Sequence, residues 1–486
     1  MLATVFVAWT PIFGAGLLQA QTAAKPPAKL SAKSAPKPAI DVPRIPYTRF
    51  VLKNGLVVLL HEDHSSPIVA IDLTYHVGSK DELSGKRGFA HLFEHAMFDG
   101  SAHVEPGEHN RVIQSGGGVT QGQTLEDRTV FTDRAPANML ETVLWLEAER
   151  MAFLPARLDS QRFEIQRASV LNEYGRRFDG GPVSGFLAAE AFVGAMFPDP
   201  HPYHSTPFGV MSELKTTTIE DLRAFFDKYY APNNATLAIA GDFRTRDAKK
   251  LAEQYFGGIP RRTAVKHPVM PAAPPTTETR IVLEDQHGNT QQLWLGWRGA
   301  SATSPDRVAL TALSAILSGG PTSRLYRKLV GERKLAAALP PTSNSHFDLE
   351  NAGFLQIVIV PVPAASMTAI ERVVDSVVSE IRDTGVRPDE LRRWLATYSV
   401  SSVTSSQSDA AKARLLEEGE SIYRSPAAVF KDIDEARRLT PADIQRVARK
   451  YIATPRVVMS IVPAGKLELV SKPAESFTNV TRRKTP

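Results

Sequence analysis

The chain of 486 residues contains no cysteine. Disulfides and thiolate ligands are therefore excluded, and any bound metal must be held by histidine and carboxylate. Past residue 18 there is also no apolar run of about 20 residues, so the body of the chain lacks an ordinary membrane span. Nor does the body carry excess positive charge. The formal net charge is +5 and the pI about 9.2. Residues 1–45 contribute +4 of that and residues 466–486 contribute +3, which leaves −2 for everything between. The high pI belongs to the tails, and no nucleic-acid-binding face is implied.

What is present describes a globular protein, 43% hydrophobic and 22% charged. The length exceeds one ordinary core, so two domains are expected. Residues 2–18, LATVFVAWTPIFGAGLL, are apolar and uncharged, and small residues follow at Ala20, Ala23 and Ala24. Residues 1–24 therefore read as a signal peptide, or second as an uncleaved N-terminal anchor. No lysine or arginine precedes the apolar run, which the export reading attributes to a mis-assigned start. Residues 25–45 form a linker rich in proline, alanine and lysine that cannot bury enough apolar surface to order itself.

The chain resembles itself. Residues 217–240, TTIEDLRAFFDKYYAPNNATLAIA, and 440–462, TPADIQRVARKYIATPRVVMSIV, align without gaps at an offset of 222. Thr218 meets Thr440, Asp221 meets Asp443, Leu222 meets Ile444, and Lys228, Tyr229 and Ala231 meet Lys450, Tyr451 and Ala453. Each copy reads as a Thr-capped amphipathic helix, a turn and a strand. Tandem related domains are expected over 46–262 and 280–470, joined by a proline- and threonine-rich linker at 263–279 and followed by a basic tail at 471–486. Strands such as 56–60 and 68–75 interleave with long helices such as 139–151 without regular βαβ spacing. The fold class is α+β, with largely antiparallel sheets.

The stretch HLFEH, residues 91–95, carries the chemistry. Phe89, Leu92, Phe93 and Met97 give it helical periodicity. On a helix His91 and His95 are i, i+4, leaving one face about 5–6 Å apart at Cβ. Two imidazoles so placed can close on one zinc ion, and Glu94 beside them can reach a water without ligating the metal. The alternative is a structural pair of histidines hydrogen-bonding within a helical core. A catalytic site needs a third protein ligand, and FEIQRASVLNEY, residues 163–174, offers Glu164 and Glu173. Spacing alone does not choose between them.

HLFEH resembles the inverzincin motif of the pitrilysin, or M16, metallopeptidases. The resemblance runs over nearly all of 46–465, through NGLVVLL, GFAHLFEHAMFDGS, DRTVF, LWLEAERM, HPY, KYYAPNNATLAIAGDF and GGPTSRLY. It is closest to the short-chain, processing-peptidase-like subfamily. It implies a two-domain α+β fold, one Zn2+ per chain, His91, His95 and Glu173 as metal ligands, and Glu94 as general base. The segment GGGVTQGQT, 116–124, resembles the family's glycine-containing edge strand. Its usual asparagine–small-residue step is Gln121–Gly122 here, which implies substrate-binding positions. A simple glycine hairpin is the alternative.

Two departures from the family pattern qualify the implied function. The seven-residue step ending at Glu173 normally begins with glutamate, and here begins with Gln166. The C-terminal half of complete family enzymes carries an arginine and, seven residues later, a tyrosine near the zinc. In LVGERKLAAAL, 329–339, Val330 and Ala337 stand there, and neither can donate a hydrogen bond to a substrate carbonyl. The resemblance thus implies the zinc-bearing subunit of a heterodimer whose related partner supplies the Arg/Tyr pair. It would cleave short unfolded peptides in the periplasm or outside the cell, touching a membrane only if the N-terminal segment stays uncleaved. The rivals are a non-catalytic scaffold of this fold and a self-sufficient homodimeric peptidase. Lesser signals take plain readings. His61 and His64 are expected at the surface, His201–His204 in a packed loop, Trp145 in the core, and Glu147 and Glu149 solvated or ion-paired.

Overall fold

The computed structural model describes residues 42, 44–178, 185–268, 270, 277–286, 288–289, 291–340, 344–453 and 455–476. The expected signal or anchor segment and most of the 25–45 linker lie outside the described residues, as do parts of the 263–279 linker and the end of the basic tail. Among the described residues no helix is long and apolar enough to cross a membrane.

Six strands form the first sheet: β1 (Thr48–Val51), β2 (Val57–Glu62), β3 (Ile68–Tyr75), β4 (Val119–Thr124), β5 (Thr129–Pro136) and β6 (Ala235–Gly241). Their order is β1-β2-β6-β3-β5-β4, antiparallel except where β2 meets β6. The second sheet holds β7 (Thr279–Asp285), β8 (Gln292–Arg298), β10 (His346–Asp348), β11 (Gly353–Pro361) and β12 (Val457–Pro463), ordered β10-β11-β8-β12-β7. The short β9 (Ala336–Ala338) pairs with β11, and β12 and β7 are the parallel pair. The run β2-β6-β3-β5 therefore reappears as β7-β12-β8-β11, the related tandem architecture that the sequence repeat implies. β6 and β12 begin at 235 and 457, the same offset of 222.

The helices that bear on the site and on the packing are α1 (Phe89–Ala96), α2 (Glu108–Ser115), α3 (Leu140–Phe153), α4 (Ser160–Phe178), α5 (Gly185–Met196), α6 (Ile219–Tyr229), α7 (Met367–Thr384), α8 (Asp409–Ser421) and α9 (Pro441–Tyr451). The repeated threonines do what their spacing implies. Thr218 caps α6 and Thr440 caps α9, each accepting from the backbone of the aspartate three residues on while that carboxylate accepts the cap's own N–H. Such reciprocal caps satisfy two otherwise orphaned donors.

Each sheet buries both faces, and the two halves exchange helices to do so. Leu237, Ile239, Ile71 and Leu73 face the first half's own helices. The opposite face carries Leu59 with the small residues Ala70, Ala238 and Ala240, against which Ala413 and Leu416 of α8 pack. Reciprocally, Ala188, Ala191 and Phe192 of α5 lie on Ile281, Leu283, Trp294, Met459 and Ile461 of the second sheet. Short alanine side chains let a helix backbone approach a sheet closely. A buried ion network adds to this join: Lys80 pairs with Asp127 at 2.8 Å and with Glu350, while the Tyr203 hydroxyl donates to Asp127 at 2.5 Å.

Several expectations need correction. His61 is buried, its Nδ1 2.7 Å from the carbonyl of Pro46, because the segment before β1 and helix α8 cover that end of β2. His64 is exposed as expected, between Asp242 and Glu62. Trp145 is not a core aromatic but 36% exposed. On α3 it shares a face with the exposed Glu141, one turn earlier. Glu147 meets the ion-paired expectation, on Arg150, and Glu149 accepts from Ser101 and lies 2.9 Å from His103 Nδ1, but both are buried. His201 and Tyr203 do form a packed loop.

The second half is locked by Glu371 of α7, whose fully buried carboxylate accepts from Arg280 at 2.6 Å and Arg456 at 2.7 Å, and from Ser471. Burial by itself would raise this carboxyl. The hydrogen bonds from Arg280 and Ser471 and the two guanidinium charges outweigh it and hold the group down to about 2. A depressed carboxylate contributes stability above its unfolded value of about 4.5, and that contribution is lost as pH falls towards about 2. Glu371→Gln strands two buried arginines. It is expected to cost roughly 3–5 kcal/mol in urea unfolding at pH 7, with the difference from the parent shrinking below pH 4.5.

Candidate active site

The residues of HLFEH occupy α1, and two carboxylates from elsewhere in the chain hold its start. Gly88 takes φ 99° at the N-cap, a conformation open to glycine, and offers no side chain to cap the helix. Glu82 does this instead, accepting from the backbone of Gly88 and Ala90 at 2.8 Å each. Glu213 accepts from the Arg87 backbone at 2.7 Å. Burial raises Glu82 to about 8, with the two backbone hydrogen bonds opposing, so it holds the helix start as an acceptor rather than as a fixed charge. Gly209 presses on the same point, since a Cβ there would lie 2.2 Å from the Gly88 nitrogen. This contact lets the neighbouring Phe208 pack edge-on against His91, with ring centroids 5.1 Å apart. Phe89, Leu92, Phe93 and Met97 are all buried, as the periodicity predicts.

His91 and His95 leave α1 on one face, ring centroids 4.9 Å apart. Glu173 reaches them from α4, its Oε2 lying 3.9 Å from His91 Nε2 and 3.4 Å from His95 Nε2. One ligand atom from each of the three lies within 4.8 Å of the others. Two imidazoles and a carboxylate converging at that spacing suit a zinc ion with a position left open. Val170, buried one helical turn before Glu173, anchors α4 to the core and so aims the carboxylate.

Glu164 goes elsewhere. It is exposed and pairs with Arg167. Gln166 sits two turns before Glu173 and hydrogen-bonds the Asp99 carboxyl, which burial raises and Arg162 and Gln166 oppose.

Glu94 stands beside the histidines, under the edge strand. The Thr124 hydroxyl donates to its Oε2 at 2.7 Å. Burial raises the Glu94 carboxyl above its ordinary value, and this hydrogen bond and the charge of His95 act against the rise. Gly122 of β4 lies directly over it. A Cβ at that position would fall 2.9 Å from Glu94 Cγ and Oε1 and from Phe98. The strand alternates, so Gly122 faces Glu94 while Gln121 projects from the other side and is exposed. The two expected substrate-binding positions thus occupy opposite faces of one strand. β4 pairs with β5, and no other strand among the described residues lies along its outer edge.

Sequence reasoning missed Glu82, Glu213, Thr124 and Phe208. The one available signal was the pair of acidic residues Asp81 and Glu82 shortly before a helix with a glycine cap. Val330 lies in a π-helical turn (Arg327–Glu332) and is part-buried, and Ala337 projects exposed from β9. Neither brings a polar side chain.

Known proteins match the chain in both of its halves. Residues 57–179 match the model of insulinase (peptidase family M16), and residues 216–398 match that of the peptidase M16 inactive domain. The zinc protease PqqE of Helicobacter pylori is 31% identical over 289 residues, which span 59% of this chain and 64% of the relative, a little under two thirds of its length. A crystal structure of a protease from H. pylori superposes with a TM-score of 0.78 at 23% identity, covering 86% of this chain and all of that one. The periplasmic protease PqqL of Escherichia coli superposes at 0.72 and 17% identity, with 90% of this chain covering 50% of that one. The two-domain α+β fold and the two matched family models place the chain in one family: it belongs to the M16 peptidases.

Proposed function

We propose that the chain is a zinc-dependent endopeptidase subunit acting on short, unfolded peptides. The observation that carries this reading is the convergence of His91, His95 and Glu173 beside a Glu94 that ligates nothing in the cluster. One zinc at this site would be held by those three residues. When bound it supplies polarisation of the scissile carbonyl and a lowered pKa for the attacking water. With the metal in place, Glu94 would take a proton from the attacking water and return it to the leaving amine. Thr124 holds one carboxylate oxygen in place, which leaves the other to face the substrate side. The outer edge of β4 pairs with an extended backbone, hence the preference for unfolded peptides. Gln166 serves to hold Asp99 rather than the metal site.

The partner follows from Val330 and Ala337. Neither side chain can donate to a substrate carbonyl, so the Arg/Tyr pair comes from a related M16-like chain in a heterodimer. That this chain covers half of PqqL supports a site completed by two units of this size. The apolar segment 2–18 and the periplasmic description of PqqL support export to the periplasm.

The deciding experiment is turnover of a mixed pool of unstructured peptides by the zinc-loaded chain, read by mass spectrometry, with and without candidate M16-like partners. Activity that needs the partner and disappears in Glu94→Gln with zinc retained is expected. Cleavage by the chain alone makes it a self-sufficient enzyme, and normal function of Glu94→Gln in the host makes it a scaffold. A second test separates the ligands. Glu173→Gln should weaken zinc binding by at least about 100-fold, more than loss of a residue that merely supports a ligand, while Glu164→Gln leaves it unchanged. Equal zinc affinity in the two variants removes Glu173 from the site.

A further inference from the structure

A second group of metal-type donors lies behind the edge strand, on three elements that the catalytic reading does not use. His109 comes from α2, Asp133 from β5 and Glu147 from α3, and they are 4%, 2% and 0% exposed. His109 Nε2 stands 4.0 Å from Asp133 Oδ1 and 3.8 Å from Glu147 Oε1. Those separations are too long for hydrogen bonds. They match the 3.9 and 3.4 Å by which Glu173 stands off His91 and His95. Among the described residues, His109 Nε2 and both carboxylate oxygens of Asp133 have no hydrogen-bond partner. Neither has the hydroxyl of Thr120, the cross-strand neighbour of Asp133.

Charge points the same way. Arg150 neutralises Glu147, donating through Nε at 2.9 Å, and its guanidinium lies 4.1 Å from the centre of the Phe131 ring. Its hydrogen bonds go to Glu147, while its buried Nη1 has no partner, so Arg150 acts on Asp133 through its charge and without a hydrogen bond. The remaining histidine–carboxylate cluster, His61, Asp63 and Asp409, makes the contrast. There the Lys412 ammonium bonds both aspartates and already serves as the cation.

We propose that His109, Asp133 and Glu147 hold a second divalent cation of the zinc class, structural in role. The bound ion joins α2 and α3 to β5 and supplies the bonded partner that the Asp133 carboxylate lacks. Ligating carboxylates commonly accept a further hydrogen bond from outside the metal shell, and Arg150 supplies it to Glu147. Phe98 links this site to the catalytic one. Its ring centre lies 5.9 Å from that of His109, and its edge lies under Gly122. The ion would therefore stiffen the support beneath β4 without touching Glu94.

The test is metal content of the full chain, equilibrated with zinc and dialysed, by inductively coupled plasma mass spectrometry. The parent should hold two equivalents. His91→Ala/His95→Ala should keep one and melt at a lower Tm when a chelator removes it. His109→Gln/Asp133→Asn should also keep one. One equivalent in the parent with none in His91→Ala/His95→Ala overturns the proposal, and this arm decides even if the His109 variant does not fold. A second equivalent that survives in a folded His109→Gln/Asp133→Asn chain also overturns it, since the metal then sits elsewhere. A single equivalent that persists in His91→Ala/His95→Ala but is lost with His109 would instead refute the catalytic zinc reading and leave this one standing.

Discussion

The seating of each half's helix on the other half's sheet is the contact on which the architecture depends. Neither sheet could be left with an open apolar face, and each half supplies the cover for its neighbour. Helix α8 lies on alanines of β3 and β6, and α5 lies on β7, β8 and β12. The described parts of both halves consequently pack as one unit. Such an exchange makes the halves interdependent for solvation of their sheets, so isolating either one would expose a broad apolar surface.

With that frame rigid, the site can be assembled from parts far apart in the chain. Two donors come from one turn of α1, and the third arrives from α4, 78 residues beyond His95. What makes the meeting reliable is support that is itself remote. Glu82 and Glu213 bind the start of α1, Gly209 abuts Gly88, and Thr124 reaches across from β4. Every one of these contacts fixes a direction rather than adding a chemical group, which is what a precise constellation requires.

Much of this was legible beforehand. The i, i+4 histidines, the threonine caps and the repeat at 222 residues are local patterns, and local patterns survive folding when the periodicity is strong. Glu173 over Glu164 was not decidable from spacing. Both lie on α4, and the side that faces α1 depends on Val170 and Arg167 finding their tertiary partners. His61 and Trp145 misled for the same reason from opposite directions. A polar residue at a strand end is exposed unless something distant covers it, and an aromatic on a helix is buried only if its face is the inner one. For Glu147 the ion pair was legible and the burial was not. Its ion pair with Arg150 is local, but its depth is set by the sheet beneath it.

The alternation of β4 has a consequence for how such a site would choose where to cut. A peptide added to its outer edge is held by main-chain hydrogen bonds that are blind to side chains, so what remains to be selected is register. Sliding by one residue turns every side chain to the opposite face, whereas sliding by two, about 6.8 Å, restores the same presentation. In the proposed peptidase the strand would act as a ruler with a two-residue graduation. Products from one substrate should fall into nested sets whose ends differ by even steps, with odd steps suppressed.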